Sequence, residues 1–256
     1  MSSEFFFAMN VVLVSRLVFL LRDGPLSVGA HAIRIGVLAL GLLAFNPGLW
    51  WVILFGALLA VSLASHLLET RCRRTEGIRL VELASEFLIV SVFFSPWFGI
   101  SYNGPLLAWV ARAGNFTLVV PLIERLSRHG SEAVLMGALL VLNESNLFLR
   151  LSLAGLRVGP VAGTGTAANM TPADRREYNT GRVIGLLERS AIYAAVMTDQ
   201  VAAIGLVLAV KGLARFKEMD HRPFAEYVLV GTLLSALCAV TVALLVKSLA
   251  SLNMQH

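Results

Sequence analysis

The chain has 256 residues, of which 57% are hydrophobic and only 14% charged, with a formal net charge of +5. A soluble domain carries about 25% charged residues to solvate its surface, so half that share leaves an exterior that lipid must cover. A soluble enzyme and a nucleic-acid-binding domain are therefore excluded, and no nucleic-acid partner is expected. The basic excess lies between and at the ends of apolar runs, where it suits anionic lipid headgroups.

The expected fold class is all-α: a polytopic transmembrane helical bundle of six to eight spans, forming one integral membrane domain over residues 1–256. A span needs about 20 mostly apolar residues. Residues 5–21 are apolar apart from Asn10 and Arg16. No small-x-small cleavage site follows at Arg22-Asp-Gly-Pro25, so a retained helix is expected. Residues 33–46 and 49–68 form a helical hairpin around the turn Asn46-Pro47-Gly48, and Trp50-Trp51 suits a membrane–water interface. A polar loop from Glu69 to Arg79 carries Arg71, Arg73 and Arg74. The next apolar run, 78–98, is interrupted by Glu82 and Glu86. Pro96-Trp97 and Tyr102-Asn-Gly-Pro105 then lead into a weaker run, 106–123.

After a charged connector at 124–129, residues 132–151 hold Asn143, Glu144 and Asn146. A polar Gly/Thr-rich linker, 159–180, precedes a C-terminal helix pair, 181–213 and 223–250. As one helix at 1.5 Å per residue, 181–213 exceeds the hydrocarbon thickness. It must project into water, tilt, or break near Gly205. With a retained first helix the chain is expected in the cell inner or plasma membrane as a multi-pass protein. If the 69–79 loop is cytoplasmic, eight spans put 22–32, 124–130 and 211–222 on the same side, as the positive-inside rule asks. They leave the linker, with Arg157, Arg175 and Arg176, outside against that rule, so the orientation stays open.

Two cysteines, Cys72 and Cys238, offer no metal-type spacing and no structural disulfide. No metal site, cofactor or catalytic set is expected, because none of the zinc-protease, nucleophile-elbow or phosphate-loop patterns is present. Glu82 and Glu86 share a helix face near His66 and Glu69, a set that could hold a metal within a bundle. The nearby basic loop makes pairing with Arg71, Arg73 or Arg79 the expected arrangement.

Ionisable groups at membrane depth are costly, so each is a functional candidate. Asp199 and Gln200 lie between Arg182 and Lys211 in an apolar run, where they could bind a cation, relay a proton, or pair with Arg16, Arg112 or Arg189. Glu188, Arg189 and Arg182 join them as transport-path or ion-pair candidates. Lys211 and Arg215 share a helix face and are the candidates for a lipid headgroup or another anion. Gly181 and Gly185 would admit a second helix closely.

The segments Gly181 to Arg189, Ala203-Ile-Gly205, Lys211 to Phe216 and Glu226 to Ser235 resemble the C-terminal half of a bacterial polytopic membrane family catalogued only as a domain of unknown function. Ser65-His-Leu-Leu-Glu69 is similar to a His-Leu-Leu-x-Asp element of that family, with Glu69 in place of Asp. The resemblance implies a membrane fold of several helices and brings no activity, cofactor or substrate.

Three functions follow. The first is a small-solute or ion transporter or channel. The second is a non-catalytic membrane subunit or scaffold, assembling with itself or with other membrane proteins. The third is a lipid-headgroup-binding or lipid-modifying protein. Transport ranks first, because buried ionisable residues are numerous for a scaffold.

Overall fold

The computed structural model of the chain describes residues 3–21, 26–71, 75–105, 131–155, 172–214 and 222–253. Every regular element among them is helical, and the only β feature is an isolated antiparallel bridge between Phe45 and Tyr102. Four stretches are long and apolar enough to cross a membrane: Ser3–Leu20, Leu49–Arg71, Ser131–Gly155 and Ala225–Leu249. That fits a membrane protein, with four such stretches among the described residues against the six to eight spans expected. The expected span 106–123, the connector 124–129, residues 156–171 of the linker, and Arg215 lie outside the described residues.

The chain divides into two units, residues 1–139 with 248–256, and residues 140–247. In the first unit, α1 (Ser3–Arg16) continues as a 3-10 turn, Leu17–Leu21. It is followed by α2 (Val28–Leu42), α3 (Leu49–Arg71), α4 (Thr75–Phe93) and α5 (Ser131–Leu139). α1 is the central element, in contact with α2, α4 and α5, while α3 packs on α4 and α2. Its buried side chains include Phe5, Phe6, Met9, Val12 and Leu13. Outward positions of the surrounding helices are as apolar as the core: Leu40, Leu63, Leu67 and Leu88 are exposed. Water would not tolerate that face, but hydrocarbon does.

The predicted hairpin turn at Asn46-Pro47-Gly48 is present, and it is tied down on both sides. Trp51 Nε1 donates to Leu42 O at 2.7 Å, satisfying a carbonyl at the end of α2. Asn46 Nδ2 donates to Ser101 Oγ and to the Tyr102 carbonyl, and the Phe45 and Tyr102 rings stack at 5.3 Å. Tyr102 also reaches Ser3, whose hydroxyl donates to the Glu132 carboxylate at 2.9 and 3.0 Å. Ser3 has one proton to give, so the phenol is the donor in the Tyr102–Ser3 bond. Burial pushes the Tyr102 phenol up to about 12, which keeps it protonated for that role.

In the second unit a single π turn, Leu140–Glu144, leads into α6 (Ser145–Gly155). Then come α7 (Pro172–Met197), α8 (Ala202–Ala214) and α9 (Arg222–Asn253). α7 starts at Pro172, so the last part of the predicted linker is helical. The long helix expected over 181–213 breaks, but at Thr198–Val201 rather than near Gly205. Gln200 N donates back to Ala195 O at 2.7 Å, and Asp199 takes φ +60°, the left-handed conformation that closes a helix C-terminus. α8 folds back along α7 as an antiparallel hairpin. Glu188 and Lys211, placed almost symmetrically about the turn, meet at 2.5 Å. At about 20 Å, α8 is too short to span the hydrocarbon core alone.

Candidate functional site

Among the described residues, the largest concentration of buried charge lies in the first unit, where α1 ends, α2 begins, α3 ends and α4 begins. Arg16 Nη1 donates to Glu82 and to Glu86, each at 3.2 Å. Arg34 Nη1 donates to the other Glu82 oxygen at 2.5 Å, and Arg34 Nη2 donates to Glu86. Each guanidinium thus touches both carboxylates, closing a four-membered ring of ion pairs from α1, α2 and α4. All four side chains are essentially inaccessible to solvent.

The i and i+4 spacing of Glu82 and Glu86 aims both carboxylates from one face of α4. Ser65 of α3 adds a hydrogen bond to Glu82 at 2.7 Å, and Arg16 Nη2 donates to the Arg79 carbonyl at 2.7 Å. A second pair sits beside the ring: Arg79 Nε donates to Glu69 at 2.6 Å, and Glu69 also accepts the Leu26 backbone N–H. The Phe19 ring lies under all three guanidinium groups, at 5.0, 5.1 and 4.4 Å from Arg16, Arg34 and Arg79. The tight 3-10 turn after α1 brings it there. Among the described residues three guanidinium groups face three carboxylates, and the π face offsets part of the desolvation of the cations.

His31 and His66 flank this cluster, with ring centroids 4.2 Å apart. Four polar atoms on these faces of α2 and α3 have no hydrogen-bond partner among the described residues: His31 Nε2, Arg34 Nε, Ser62 Oγ and His66 Nδ1. Buried polar groups are ordinarily paired, and two more buried atoms without a protein partner, Asn10 Oδ1 and Ser131 Oγ, lie on α1 and α5.

Glu82 and Glu86 meet Arg16 and Arg34, which the sequence does not single out for them, and Arg79 meets Glu69; Arg73 lies outside the described residues. Among the described residues, no group of three or more His, Cys, Asp or Glu is placed to hold a metal ion. Arg34 lies within an apolar run of the sequence and carries no signal there. The partners it meets lie 48 and 52 residues away.

The residues singled out in the C-terminal third are not gathered into one site. Asp199 makes an ion pair, with Lys247 of α9 rather than with Arg16 or Arg189, and Arg112 lies outside the described residues. Lys247 is near the end of the apolar stretch Ala225–Leu249, so Asp199 and the exposed Gln200 sit at a hairpin tip and not inside an unbroken span. Glu188 and Lys211 neutralise each other, half-buried, so Lys211 is not a free cation. Arg189 is buried and donates from Nε to Val141 O at 3.3 Å, a carbonyl within the π turn. Arg182 and Gly181 are half-buried. A Cβ placed on Gly185 would meet only Arg189 Nη1 of its own helix, at 3.5 Å.

The exposed tip pair predicts little energetic weight. Lys247→Ala is expected to change stability by less than about 1 kcal/mol. Asp199→Gly should leave the melting temperature unchanged or raise it, since glycine takes positive φ without steric cost. Thermal unfolding in detergent micelles checks both, and a loss of several degrees in either would show the tip pair to be structural.

Comparison with known proteins gives no match to any protein-family model, any curated protein or any solved structure.

Proposed function

We propose that the chain is a multi-pass inner-membrane protein that moves a small solute or ion. The buried Arg16–Arg34–Glu82–Glu86 ring, with the adjoining His31–His66 pair, is its ion-handling site. The observation that carries this reading is the completeness of the ring's burial together with the unpartnered polar atoms beside it. A bundle that needed only stability would be served as well by apolar side chains, because desolvating two charges costs about as much as their attraction returns. Ionisable groups enclosed among membrane helices mark ion or proton pathways.

Membership of a membrane bundle is supported by the four long apolar stretches, and in the C-terminal third by the resemblance to a bacterial polytopic family. α2 and α4 complete the spans of the first unit in this reading. α2 is short, and α4 carries Glu76, Arg79, Glu82 and Glu86. Because Arg79, Glu82 and Glu86 are buried and paired with residues of α1, α2 and α3, the two helices lie in lipid despite hydropathy that would not select them. Arg71 and the sequence-adjacent Arg73 and Arg74 follow the cluster end of α3, so the positive-inside rule puts that end toward the cytoplasm.

A second reading, a non-catalytic membrane subunit that assembles with another membrane protein, is favoured by α8. This apolar helix has no buried residue, and Leu206 and Leu213 are 67% and 76% exposed. A lipid-headgroup role is less well supported, since Glu188 occupies Lys211.

Electrical recording on solid-supported membranes tests the transport reading. The purified chain in liposomes is exposed to jumps of protons, alkali cations, halides, phosphate and small carboxylates. At least one class is expected to give a current above that of empty liposomes, and Glu86→Gln is expected to reduce it at least tenfold. Silence toward every class, or a current indifferent to Glu86→Gln, would remove the ring from any transport role.

A further inference from the structure

Arg189 of α7 is 4% exposed, and among the described residues no carboxylate lies within ion-pairing distance of it. Glu188 precedes it in the chain, but that carboxylate is taken by Lys211 at 2.5 Å. The guanidinium makes one protein hydrogen bond among the described residues, from Nε to Val141 O at 3.3 Å. A guanidinium is a planar fork of N–H donors, so the N–H groups of Nη1 and Nη2 are left to find an acceptor. The buried arginines of the first unit differ: Arg16, Arg34 and Arg79 each meet a carboxylate.

The surrounding elements of the second unit hold the fork in this state. The π turn Leu140–Glu144 departs from α-helical pairing and offers the Val141 carbonyl to α7. Side chains on a helix lean toward its N-terminus, so Arg189 lies over the residue four before it. That residue is Gly185. A Cβ there would meet Nη1 at 3.5 Å and no other side chain within 4 Å among the described residues, so room remains beside the fork.

The two groups within electrostatic reach from other helices, Cys238 of α9 and Arg150 of α6, bring no counter-charge. Ser145 gives its one hydroxyl proton to Leu140 O, so in the 3.3 Å contact with Ser145 the Cys238 thiol is the donor. Arg150 adds a second positive charge.

Arginine cannot shed its proton to escape burial, as a lysine can. A buried charge without a counter-charge is strongly disfavoured. Around Arg189 the protein supplies a donor fork, room beside it and no anion of its own. We infer that Arg189 seats an oxyanion, a carboxylate or phosphate group, on the N–H groups of Nη1 and Nη2. Such a group presents paired oxygens that match the fork, whereas a halide matches only its charge. The oxyanion is a free solute or the phosphate of a lipid headgroup, and the site reads the chemistry they share. Lys211, held by Glu188, takes no part in it. The site does not rest on the transport reading.

The test uses the full chain in maltoside micelles, a detergent without phosphate or carboxylate, with ionic strength held constant by sodium chloride. Thermal unfolding is followed as chloride is exchanged for inorganic phosphate or acetate, and separately as short-chain phosphatidylglycerol is added. A ligand that binds the folded state raises the midpoint as its concentration rises. Saturable stabilisation by at least one of the three is expected. A response to phosphate or acetate names a free oxyanion, and a response to the lipid alone names a headgroup. Arg189→Lys keeps the charge but loses the fork, and is expected to weaken that binding at least tenfold. Gly185→Val keeps Arg189 and fills the room beside Nη1, with the same expected loss. No stabilisation by any of the three, or binding unchanged in either variant, would overturn the site and leave Arg189 as a clamp on the π turn. Ion-jump currents on the same preparations separate the two readings. Oxyanion binding without any current upholds the site and removes transport, whereas currents without oxyanion binding remove the site alone.

Discussion

Arg34→Met is expected to destabilise the protein by about 3–5 kcal/mol, the cost of breaking a buried ion pair from one side. Arg34 is fully buried and holds one oxygen of each of Glu82 and Glu86. Without it, the ring keeps Arg16 as the one guanidinium among its members, and the buried site carries one negative charge more. Adding Glu86→Leu should recover most of the loss. It restores the charge of the intact ring, leaving Glu82 with Arg16, a pair already in contact at 3.2 Å. Equilibrium unfolding of the single and double variants in mixed micelles measures the coupling. Additive losses, with no recovery in the double variant, would mean that the ring is not an interdependent unit.

The second large effect is steric. Gly41 of α2 lies against Val11 of α1, where a Cβ would fall 2.3 and 2.6 Å from the two valine methyls. Valine is fixed at χ1 and cannot swing away, so Gly41→Ala must push the two helices apart. A loss of about 1–3 kcal/mol is expected, as for other overpacked cores. Val11→Ala in the same chain removes both methyls and should return part of it, the remaining contact being to Val11 Cβ at 3.0 Å. A Gly41→Ala variant as stable as the wild type would show that α1 and α2 do not approach this closely. The consequence reaches the site, because α1 carries Arg16 and α2 carries Arg34.

Composition and the long apolar runs predict a helical membrane protein, which the helical elements and the four stretches long enough to cross a membrane fit, and the turn at Asn46-Pro47-Gly48 with its tryptophans is legible from local chemistry. The ring is not. Glu82 and Glu86 announce a shared face through their spacing, but nothing local distinguishes Arg71, Arg73 or Arg79 from the arginines they meet, Arg16 and Arg34. Arg34 is one cation in an apolar run, and its role depends on contacts some fifty residues away. A hydropathy window treats Glu82 and Glu86 as penalties against a span, whereas paired with buried arginines they are compatible with one. At the other end of the chain, Thr198-Asp-Gln200 reads as a polar interruption of a long helix. Its positive φ turns it into the tip of a hairpin, which moves Asp199 from the centre of a span to an exposed ion pair. The close helix contact expected at Gly181 and Gly185 has its clearest counterpart at Gly41, which nothing local distinguishes from Gly36, Ala39 and Ala44 in the same run.

The measurement that bears most directly on the ring compares the wild type with Arg34→Met/Glu86→Leu, recording stability and ion-jump currents on the same preparations. If the ring handles ions, the double variant is nearly as stable as the wild type and gives at most a tenth of its current. A double variant that is stable and still carries the full current would contradict that assignment, and would make the ring a structural clasp between helices.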